Sequence, residues 1–331
     1  MDRSDVLRVA IACNIKTDRT SDIEAEFDEP ETVDAIKAAL RNGGFETVVL
    51  EATEEFPQKL EAASPDIVFN IAEGRFGRSR EAQIPAILEY YGIPFTGSDA
   101  AALSVAMDKA MTKRLVRSCG IETPAFCVIT HEEKELPGDI PFPVLVKPNA
   151  EGSSKGVSDD SVAEDMTQLR TLVERSMPDL GGDLLAEQYI DGREFTVGII
   201  GNGPDIRVLE PMEIIYRKLR GPHRIYSYEV KQNYQDYISY ECPPDLPHEL
   251  TAKMKRDAET VYRTLGCLDL ARVDFRLSEN GHVFFIEVNP LPGLAPGYSD
   301  FPMLAGYNKI EYDDLIRAIL GCALKRYGMR W

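Results

Sequence analysis

The first hundred residues alternate short apolar runs with segments in which apolar residues recur at helical spacing. The apolar runs, which predict buried β-strands, are residues 6–13, 47–50 and 66–70. Helices are predicted over residues 31–42 and 84–91, because their apolar residues share one helical stripe. Strands that alternate with helices in this way predict a parallel sheet.

The rest of the chain has a different order of elements. A helix is predicted from Ala101 to Gly120, and strands are predicted over residues 125–129, 143–147, 184–189 and 195–200. From Val208 onward the pattern indicates more strands, a long polar loop, a helix around residues 254–265 and a β-hairpin. We therefore expect an α/β protein, α+β in parts, with domains at 1–100, 101–187 and 188–331.

The segment after the first strand excludes one common class of α/β enzyme. A dinucleotide-binding Rossmann domain needs the pattern G-x-G-x-x-G there, because its glycines let the backbone approach a pyrophosphate. The chain has CNIKTD at residues 13–18 instead. The dehydrogenase interpretation is therefore excluded.

Two apolar-rich runs near the C-terminus predict a β-hairpin. Residues 270–277 and 282–288 flank Asn280-Gly281, a dipeptide that favours a two-residue type I′ turn. On one face, such a turn pairs Asp274 with Glu287 and Arg272 with Asn289. On the apolar face it pairs Val273 with Val288 and Phe275 with Ile286.

The polar face of this hairpin predicts a divalent-metal site. Directly opposed carboxylates have Cβ atoms about 4.5–5.5 Å apart and repel each other, and a divalent cation reverses that repulsion. Asp274, Glu287 and Asn289 offer only oxygen ligands, which favours Mg²⁺ or Mn²⁺ over zinc. The alternative is a solvated strand face on which Arg272 screens the acids.

A second segment predicts phosphate binding. The strand over residues 143–147 ends at Lys147, and the small-residue loop NAEGSSKG follows at residues 149–156. Backbone N–H groups, hydroxyls and ammonium groups of such a loop suit phosphates, although the Walker A spacing is absent. A flexible surface loop is the alternative.

Two more segments fit a site for ATP. Residues 184–190 would present the backbone of a strand to an adenine edge, and Glu194 would accept hydrogen bonds from ribose hydroxyls. Residues 218–237 combine four basic side chains with histidine and tyrosine, which predicts a lid over an anionic substrate. Exposed acids and an ordinary hairpin are the alternatives.

Charge and cysteine content argue against several classes of protein. The 55 acidic and 37 basic residues give a net charge of −18, which repels nucleic-acid phosphates and anionic lipids. The six cysteines show no C-x-x-C spacing, so neither a zinc site nor a disulfide framework is expected. No apolar run approaches the ~18–20 residues of a membrane span, and a signal-peptide pattern is absent. We expect a cytoplasmic protein that binds neither nucleic acid nor membrane.

Six motifs spread along the chain carry a family resemblance. They are FTGS (95–98), MDKAMTK (107–113), KPNAEGSSKG (147–156), EQYIDGREFTV (187–197), ARVDF (271–275) and FFIEVNPLPG (284–293). Together they resemble the ATP-grasp superfamily and, within it, the D-alanine–D-alanine ligase family. The resemblance implies a three-domain architecture with an N-terminal parallel α/β domain on the substrate side and two lobes that hold ATP and two Mg²⁺ ions between them. It also implies small amino-acid-like substrates and a homodimer.

The same resemblance implies roles for individual residues in binding ATP. The ATP-binding residues would be Lys109, Lys147, Glu151, Ser154, Glu187, Gln188, Ile190, Glu194 and Lys231. Among them the lysines and Ser154 would contact phosphates, residues 187–190 the adenine and Glu194 the ribose. Asp274, Glu287 and Asn289 would hold magnesium, in agreement with the hairpin.

The reaction that the family implies has two steps. ATP phosphorylates a carboxylate to an acyl phosphate, releasing ADP, and an amine then displaces phosphate. Arg272 and the Gly293 N–H resemble the family's oxyanion stabilisers, and Ser153 would orient the first substrate. Ser299 resembles the serine that binds the carboxylate of the second substrate.

Departures from the family pattern lie on the substrate side. Glu73 stands where the family has a histidine, and Gln232 stands where a tyrosine is common. The usual Gly-Gly loop is replaced by residues 14–31, in which the candidates for contact with the first substrate are Glu26, Asp28, Glu29 and Glu31.

These departures leave three hypotheses about function. The first is a D-alanine–D-alanine ligase-like enzyme of peptidoglycan and cell-wall synthesis. The second is a ligase with the same mechanism that joins a different amino acid or a different acid and amine. The third is a non-catalytic protein that binds a nucleotide.

Overall fold

The structure is a computed structural model that describes residues 6–18, 24–130, 136, 138–152, 155–158, 160–180, 182–218, 221–227, 230 and 233–330. Within these ranges the strands form three sheets. No helix in the same ranges is long and apolar enough to cross a membrane. The α/β class expected from the sequence is confirmed.

The N-terminal sheet confirms the predicted alternation of strands and helices. Its parallel strands are β1 (Arg8–Cys13), β2 (Glu46–Glu51) and β3 (Ile67–Asn70), in the order β2-β1-β3. Its helices are α1 (Pro30–Asn42), α2 (Phe56–Ala63) and α3 (Gln83–Tyr91). The sequence pattern did not predict α2, because Phe56 and Leu60 are its only fully buried residues and make a short stripe.

The single helix expected from Ala101 is two helices, α4 (Ala100–Met107) and α5 (Lys109–Ser118). Asp108 separates them with a ψ of 95°, and its Oδ1 accepts a hydrogen bond from the Met111 N–H at 2.9 Å. An aspartate in this conformation caps a new helix instead of continuing the old one. The break places Lys109 in the first turn of α5.

The central sheet consists of antiparallel pairs. Its strands are β4 (Phe126–Ile129), β5 (Val144–Pro148), β6 (Val162–Ala163) and β7 (Leu184–Gln188), in the order β4-β7-β5-β6. Helix α6 (Met166–Leu180) covers this sheet, with Leu169 and Val173 in its apolar core. The sheet positions Lys147 on β5 and Glu187 on β7, which are neighbouring strands.

The C-terminal sheet is antiparallel and larger. Its strands are β8 (Gly192–Ile200), β9 (Arg207–Val208), β10 (Met212–Tyr216), β11 (Ile238–Glu241), β12 (Leu270–Ser278) and β13 (Val283–Asn289). The order is β11-β10-β8-β12-β13, and β9 pairs with β8. The helices in this part of the chain are α7 (Tyr234–Tyr237), α8 (His248–Thr264), α9 (Asp300–Tyr307) and α10 (Tyr312–Arg326). A 3₁₀ turn follows β8 at Gly203–Asp205, and another precedes α3 at Arg80–Ala82.

The β12–β13 hairpin confirms the predicted polar pairs but has a different turn. Asp274 lies opposite Glu287, and Arg272 lies opposite Asn289. The expected two-residue turn is wrong, because Ser278 pairs with His282 across three loop residues, with its N–H donating to the His282 carbonyl at 3.0 Å. Gly281, the last loop residue, has a φ of 81°, as three-residue hairpin turns require.

The expected pair of Phe275 with Ile286 is also wrong. Phe275 pairs with Phe285, and the register shifts between Asp274 and Phe275 because Ile286 is an extra residue in β13. This β-bulge offsets the longer turn, so the polar pairs beyond it keep their predicted register. Ile286 consequently lines a cleft beside Glu287 instead of packing in the apolar core.

Helices α9 and α10 share an apolar core with the N-terminal sheet. Phe301 and Leu315 belong to the same buried cluster as Val9, Ile11 and Ile36. The domain limits at 100/101 and 187/188 stay predictions, and the second falls one residue before the end of β7.

Candidate active site

A cleft of 680 Å³ is bordered by the central sheet, the β12–β13 hairpin and loops of the N-terminal unit. It brings together most of the site residues predicted from the sequence: Glu73, Lys109, Lys147, Glu151, Glu187, Gln188, Ile190, Glu194, Arg272, Asp274, Glu287, Asn289, Gly293 and Ser299. The predicted residues Ser153, Ser154, Lys231 and Gln232 lie outside the described residues.

One wall of the cleft contains a buried triad of two lysines and a glutamate. Glu187 Oε1 lies 2.6 Å from Lys147 Nζ, and Glu187 Oε2 lies 2.9 Å from Lys113 Nζ. Burial opposes ionisation of Glu187, but the two lysines outweigh it and lower the pKa of the carboxyl to about 2. The Glu187 side chain therefore holds two cations.

The backbone after β7 has a donor that faces the cleft. The N–H groups of Gln188 and Tyr189 already donate to backbone carbonyls at 2.8 Å. The Ile190 carbonyl accepts a hydrogen bond from Arg276 Nη1 at 3.0 Å. Within the described part of the chain, no acceptor is bonded to the Ile190 N–H.

Glu194 is held by two neighbours through one of its oxygens. Its Oε2 accepts hydrogen bonds from the Tyr216 hydroxyl at 2.7 Å and from Arg276 Nη2 at 2.6 Å. The described residues give Oε1 no hydrogen bond, so this oxygen is the one that could accept from a ligand. Arg276 also donates to the Arg224 carbonyl at 2.6 Å and thereby ties the lid segment to the site.

The polar face of the hairpin is an interlocked set of charged groups. Arg272 donates to both oxygens of Asp274 at 3.0 Å, from Nε and from Nη2, and Asn289 Nδ2 donates to the same carboxylate at 3.2 Å. Lys109 Nζ lies 3.7 Å from Glu287 Oε2. Burial raises the pKa of Asp274, and Arg272 opposes that increase.

The donor set on this face fits a hard divalent cation. Asp274 and Glu287 supply opposed carboxylates, and Asn289 supplies an amide oxygen. Among the described residues, no group of three or more His, Cys, Asp and Glu side chains could hold a metal ion. Mg²⁺ commonly binds one or two carboxylates and completes its shell with substrate phosphates and water, which suits this incomplete set.

A buried carboxylate that the sequence did not single out supports Arg272. Asp300 is 3 % exposed, and its Oδ2 lies 3.4 Å from Arg272 Nη1. The hydroxyls of Tyr240 and Tyr226 donate to Asp300 Oδ1 at 3.0 and 3.3 Å. Tyr226 belongs to the segment 218–237 that the sequence predicts to be a lid, and its hydroxyl connects that segment to Arg272 through Asp300.

Gly293 and Ser299 are adjacent at one end of the cleft. A Cβ atom on residue 293 would lie 2.8 Å from Ser299 Oγ, which explains the glycine. The Ser299 hydroxyl accepts a hydrogen bond from the Ala295 N–H at 3.2 Å. The turn after β13 thus places the predicted backbone donor beside the predicted substrate serine.

The opposite end of the cleft is rich in carboxylates. Arg80 is paired with Glu26 and lies 3.2 Å from Glu151 Oε2. Burial is the largest cause that raises the pKa of Glu73 well above its ordinary value and the pKa of Glu81 to about 8. Neither Glu73 nor Glu81 has a hydrogen bond or ion pair with any described residue, and both line the cleft.

Sequence reasoning missed several residues that organise the site. Lys113, Arg276, Asp300 and Arg80 each form a buried or half-buried ion pair with a predicted site residue or its neighbour. Lys113 alone had a signal in the sequence, because it follows Lys109 by one helical turn and shares a face with Ala110 and Val116. All four pair with residues far along the chain, and the other three had no such helical signal.

Comparisons with known proteins agree with the motifs and the fold. Residues 115–321 match the family model described as D-ala D-ala ligase C-terminus. A D-alanine–D-alanine ligase of Cupriavidus metallidurans is 34% identical over 87% of this chain and 85% of its own, and an uncharacterized protein, y4sG, of Sinorhizobium fredii is 31% identical over 97% and 98%. The crystal structure of the D-alanine–D-alanine ligase from Bacillus anthracis complexed with ATP superposes with a TM-score of 0.77 at 25% identity, over 98% of this chain and 99% of that one.

The matched family model covers more than half of the chain, and relatives above 30% identity cover most of it. Lys147, Glu187 and the carboxylate hairpin lie within residues 115–321, which the family model matches. The chain therefore belongs to the D-alanine–D-alanine ligase family of ATP-grasp ligases.

Proposed function

We propose that this protein joins a carboxylate of one amino-acid-like substrate to the amine of another, at the expense of ATP and through an acyl phosphate. The carrying observation is the cleft, in which Lys147 and Glu187 line one wall and the Asp274–Glu287 pair of the hairpin lines another. Cations on one wall and paired carboxylates on the other are the groups that phosphoryl transfer needs.

ATP would lie along the central sheet. The Ile190 N–H would donate to the adenine edge, and Glu194 Oε1 would accept from the ribose. Lys147 and Lys109 would contact the phosphates, because both line the cleft and carry their charge toward the hairpin. Glu151, Gln188, Ser154 and Lys231 keep their proposed ATP contacts, the last two from outside the described residues.

Asp274, Glu287 and Asn289 would hold Mg²⁺ or Mn²⁺ together with phosphate oxygens, with two ions expected. The cation would neutralise charge on the phosphates and on the transferring phosphoryl group. Asp274 is already held in place by Arg272 and Asn289, and Glu287 already lies near Lys109. The two carboxylates would therefore need little reorganisation to bind the cation.

The protein's own groups would act on both steps. The first substrate's carboxylate oxygen attacks the γ-phosphorus, the bond to the ADP oxygen breaks, and Lys147 and Lys109 stabilise the negative charge. The second substrate's neutral amine then attacks the acyl carbon, phosphate leaves with one oxygen of the original carboxylate, and the proton that the nitrogen loses passes to the departing phosphate. Arg272 and the Gly293 N–H would stabilise the tetrahedral oxyanion, while Ser153 and Ser299 would orient the first and second substrates.

The names of the ligase relatives support D-alanine as the substrate on both sides, in a cell-wall role. We also propose that the protein acts in the cytoplasm, where its ATP is found, and as a homodimer like its family. Light scattering of the purified protein tests the dimer.

A second candidate is a ligase for a substrate with an additional amine. The specific observation is the pair Glu73 and Glu81, which line the cleft without a cation in ion-pair contact among the described residues, while Arg80 from farther away does not offset the effect of burial on their pKa. An ammonium group would supply that partner and favour the ionised carboxylates. Gln232 is the other position at which substrate preference would differ.

The experiment is ADP release with ATP and Mg²⁺ against single and paired D- and L-amino acids, including diamino acids, with products identified by mass. A D-alanine dipeptide would establish the first candidate. Turnover with a diamino acid that Glu73→Gln weakens, while Glu89→Gln on the exposed end of α3 does not, would establish the second. ATP binding without turnover on any pair would favour the non-catalytic hypothesis.

A further inference from the structure

Lys113 lies behind the cleft wall and not in the cleft. It is 0% exposed, and its Nζ is enclosed by Glu187 Oε2 at 2.9 Å, Thr123 Oγ1 at 2.9 Å and the Phe285 ring at 5.8 Å. Lys109, one turn earlier on α5, reaches the cleft. Helix α5 therefore places Lys109 in the cleft and buries Lys113 behind its wall.

A fully buried lysine is costly unless its charge is paired and used. Glu187 and Lys147, at 2.6 Å, would be a neutral pair if they stood alone. Such a pair would fix Lys147 in position but cancel most of the positive field that it presents to the cleft. The charge of Lys113 brings the triad to a net charge of +1.

We propose that Lys113 is a positioning residue for ATP, which lets Glu187 hold Lys147 in place without cancelling the charge that Lys147 presents to the phosphates. The proposal rests on the proposed function, in which Lys147 contacts ATP.

The contacts of Lys113 also join the two walls of the cleft. Thr123 accepts from Lys113 and donates from the same hydroxyl to the Phe285 carbonyl at 2.9 Å. The Phe285 N–H donates to the Glu122 carbonyl at 2.8 Å. Phe285 lies just before the bulge that leads to Glu287, so the lysine wall and the carboxylate strand are fixed relative to each other through Lys113.

A triad that only stabilises the fold and a triad that supplies charge to the phosphates differ in which second substitution restores ATP binding. Replacing Lys113 by the uncharged Met removes one positive charge and brings the triad to zero. Adding Glu187→Gln to that variant removes the carboxylate as well, so that Lys147 alone restores a net charge of +1. Recovery of ATP binding in the double variant is expected only if Lys113 acts by supplying positive charge toward the phosphates.

The experiment measures binding of ATP and of adenosine by calorimetry to the wild type, to K113M and to K113M/E187Q. We expect K113M to weaken ATP binding about tenfold or more, since a phosphate contact loses its charge assistance. Adenosine has no phosphates, and its affinity should change by less than about twofold. The double variant should recover most of the lost ATP affinity.

Three results would overturn the proposal: unchanged ATP affinity in folded K113M, equal losses for ATP and adenosine, or a folded double variant that binds ATP no better than K113M. Circular dichroism and thermal unfolding establish folding. If K113M does not fold, the double variant decides alone, because its only remaining triad charge is that of Lys147, which lines the cleft, and it should bind ATP nearly as the wild type does. A wild type that binds no ATP would instead contradict the proposed function.

Discussion

Asp300 shows how one buried carboxylate can orient an arginine at the reacting end of the cleft. Its Oδ2 lies 3.4 Å from Arg272 Nη1, while Asp274 takes the other two donors of the same guanidinium. Burial opposes the charge of Arg272, but the two carboxylates outweigh it and raise its pKa. The arginine is thus held from two sides, which suits the role of oxyanion stabiliser that we propose for it.

Asp300→Asn should lower kcat with little effect on ATP binding. The amide keeps the size of the side chain but removes one of the two negative charges that hold Arg272 in position. Loss of such a supporting partner typically lowers activity about 10- to 100-fold. Steady-state ADP release gives kcat, and calorimetry gives ATP affinity; Asp314→Asn, in an exposed pair with Arg317, is the control. An unaltered kcat in Asp300→Asn would show that Asp300 does not orient Arg272 for catalysis.

Asp28 gives the protein a pH-dependent stability. Burial raises its pKa to about 7, and Lys16 only partly opposes this. The folded protein therefore retains a proton that the unfolded chain loses above about pH 4, so the stabilisation present at lower pH is lost as pH rises through about 7.

Asp28→Asn should therefore stabilise the protein at pH 8 by up to about 3 kcal/mol and much less near pH 4. Urea unfolding at the two pH values measures the difference in the free energy of unfolding. The matched control is Asp34→Asn, on the exposed face of α1. A stability gain that is equal at both pH values would contradict the assignment.

At the residue scale, the sequence predicted the groups that stand close to one another along a strand or loop. Asp274, Glu287, Asn289 and Arg272 follow from alternation in a hairpin, and the structure brings them together. Asp300 and Arg276 could not be predicted, because their partners belong to elements whose packing no local pattern specifies. The roles of the brought-together residues stay proposals.

Among the elements, the β12–β13 hairpin is the one whose irregularity bears on function. Its three-residue turn and the bulge at Ile286 shift the register in opposite directions, so Glu287 remains opposite Asp274. The bulge lets both Ile286 and Glu287 line the cleft. A bulge also increases the local twist of a strand, which re-aims the side chain that follows.

Deleting Ile286 should lower kcat strongly, whereas deleting Glu279 should leave kcat nearly unchanged. Without Glu279, the turn becomes a two-residue Asn280-Gly281 turn and the pairing of Ser278 with His282 is kept, so kcat should stay within about twofold. Without Ile286, Glu287 still pairs with Asp274 but loses the bulge, and kcat should fall roughly tenfold or more. Both variants should fold, which thermal unfolding checks. Wild-type turnover after deletion of Ile286 would show that the bulge does not position Glu287.

The sequence located most strands and helices but not every irregularity. Strong apolar runs gave β1, β3 and β12 within two residues of their bounds. Helix α2 has too small a buried stripe to be recognised, and the break at Asp108 depends on a side-chain cap. The bulge could not be read from alternation alone, because its extra residue is apolar and fits either face.

At the scale of the whole molecule, the N-terminal sheet and the C-terminal helices share one apolar core. Phe301 on α9 and Leu315 on α10 pack with Val9 and Ile36 of the N-terminal unit. The N-terminal sheet and the C-terminal helices therefore stabilise each other. We expect them to unfold in one cooperative transition.

Phe301→Ala should lower the stability of that joint unit by about 3–5 kcal/mol, because Phe301 is 0% exposed in the shared core. Scanning calorimetry should show the transition that contains the N-terminal sheet moving to lower temperature. Tyr307→Ala, at the exposed end of α9, is the control and should shift it little. A separate N-terminal transition whose temperature is unchanged by Phe301→Ala would mean that the shared core does not couple the two ends.

The central claim is that ATP activates a carboxylate as an acyl phosphate, and oxygen transfer tests it most directly. The first substrate, labelled with ¹⁸O in its carboxylate, is turned over with ATP and the amine partner identified by the substrate panel, and the released phosphate is analysed by mass. The account predicts ADP and phosphate that carries one ¹⁸O atom from the substrate. Unlabelled phosphate, or AMP and pyrophosphate as products, would contradict it.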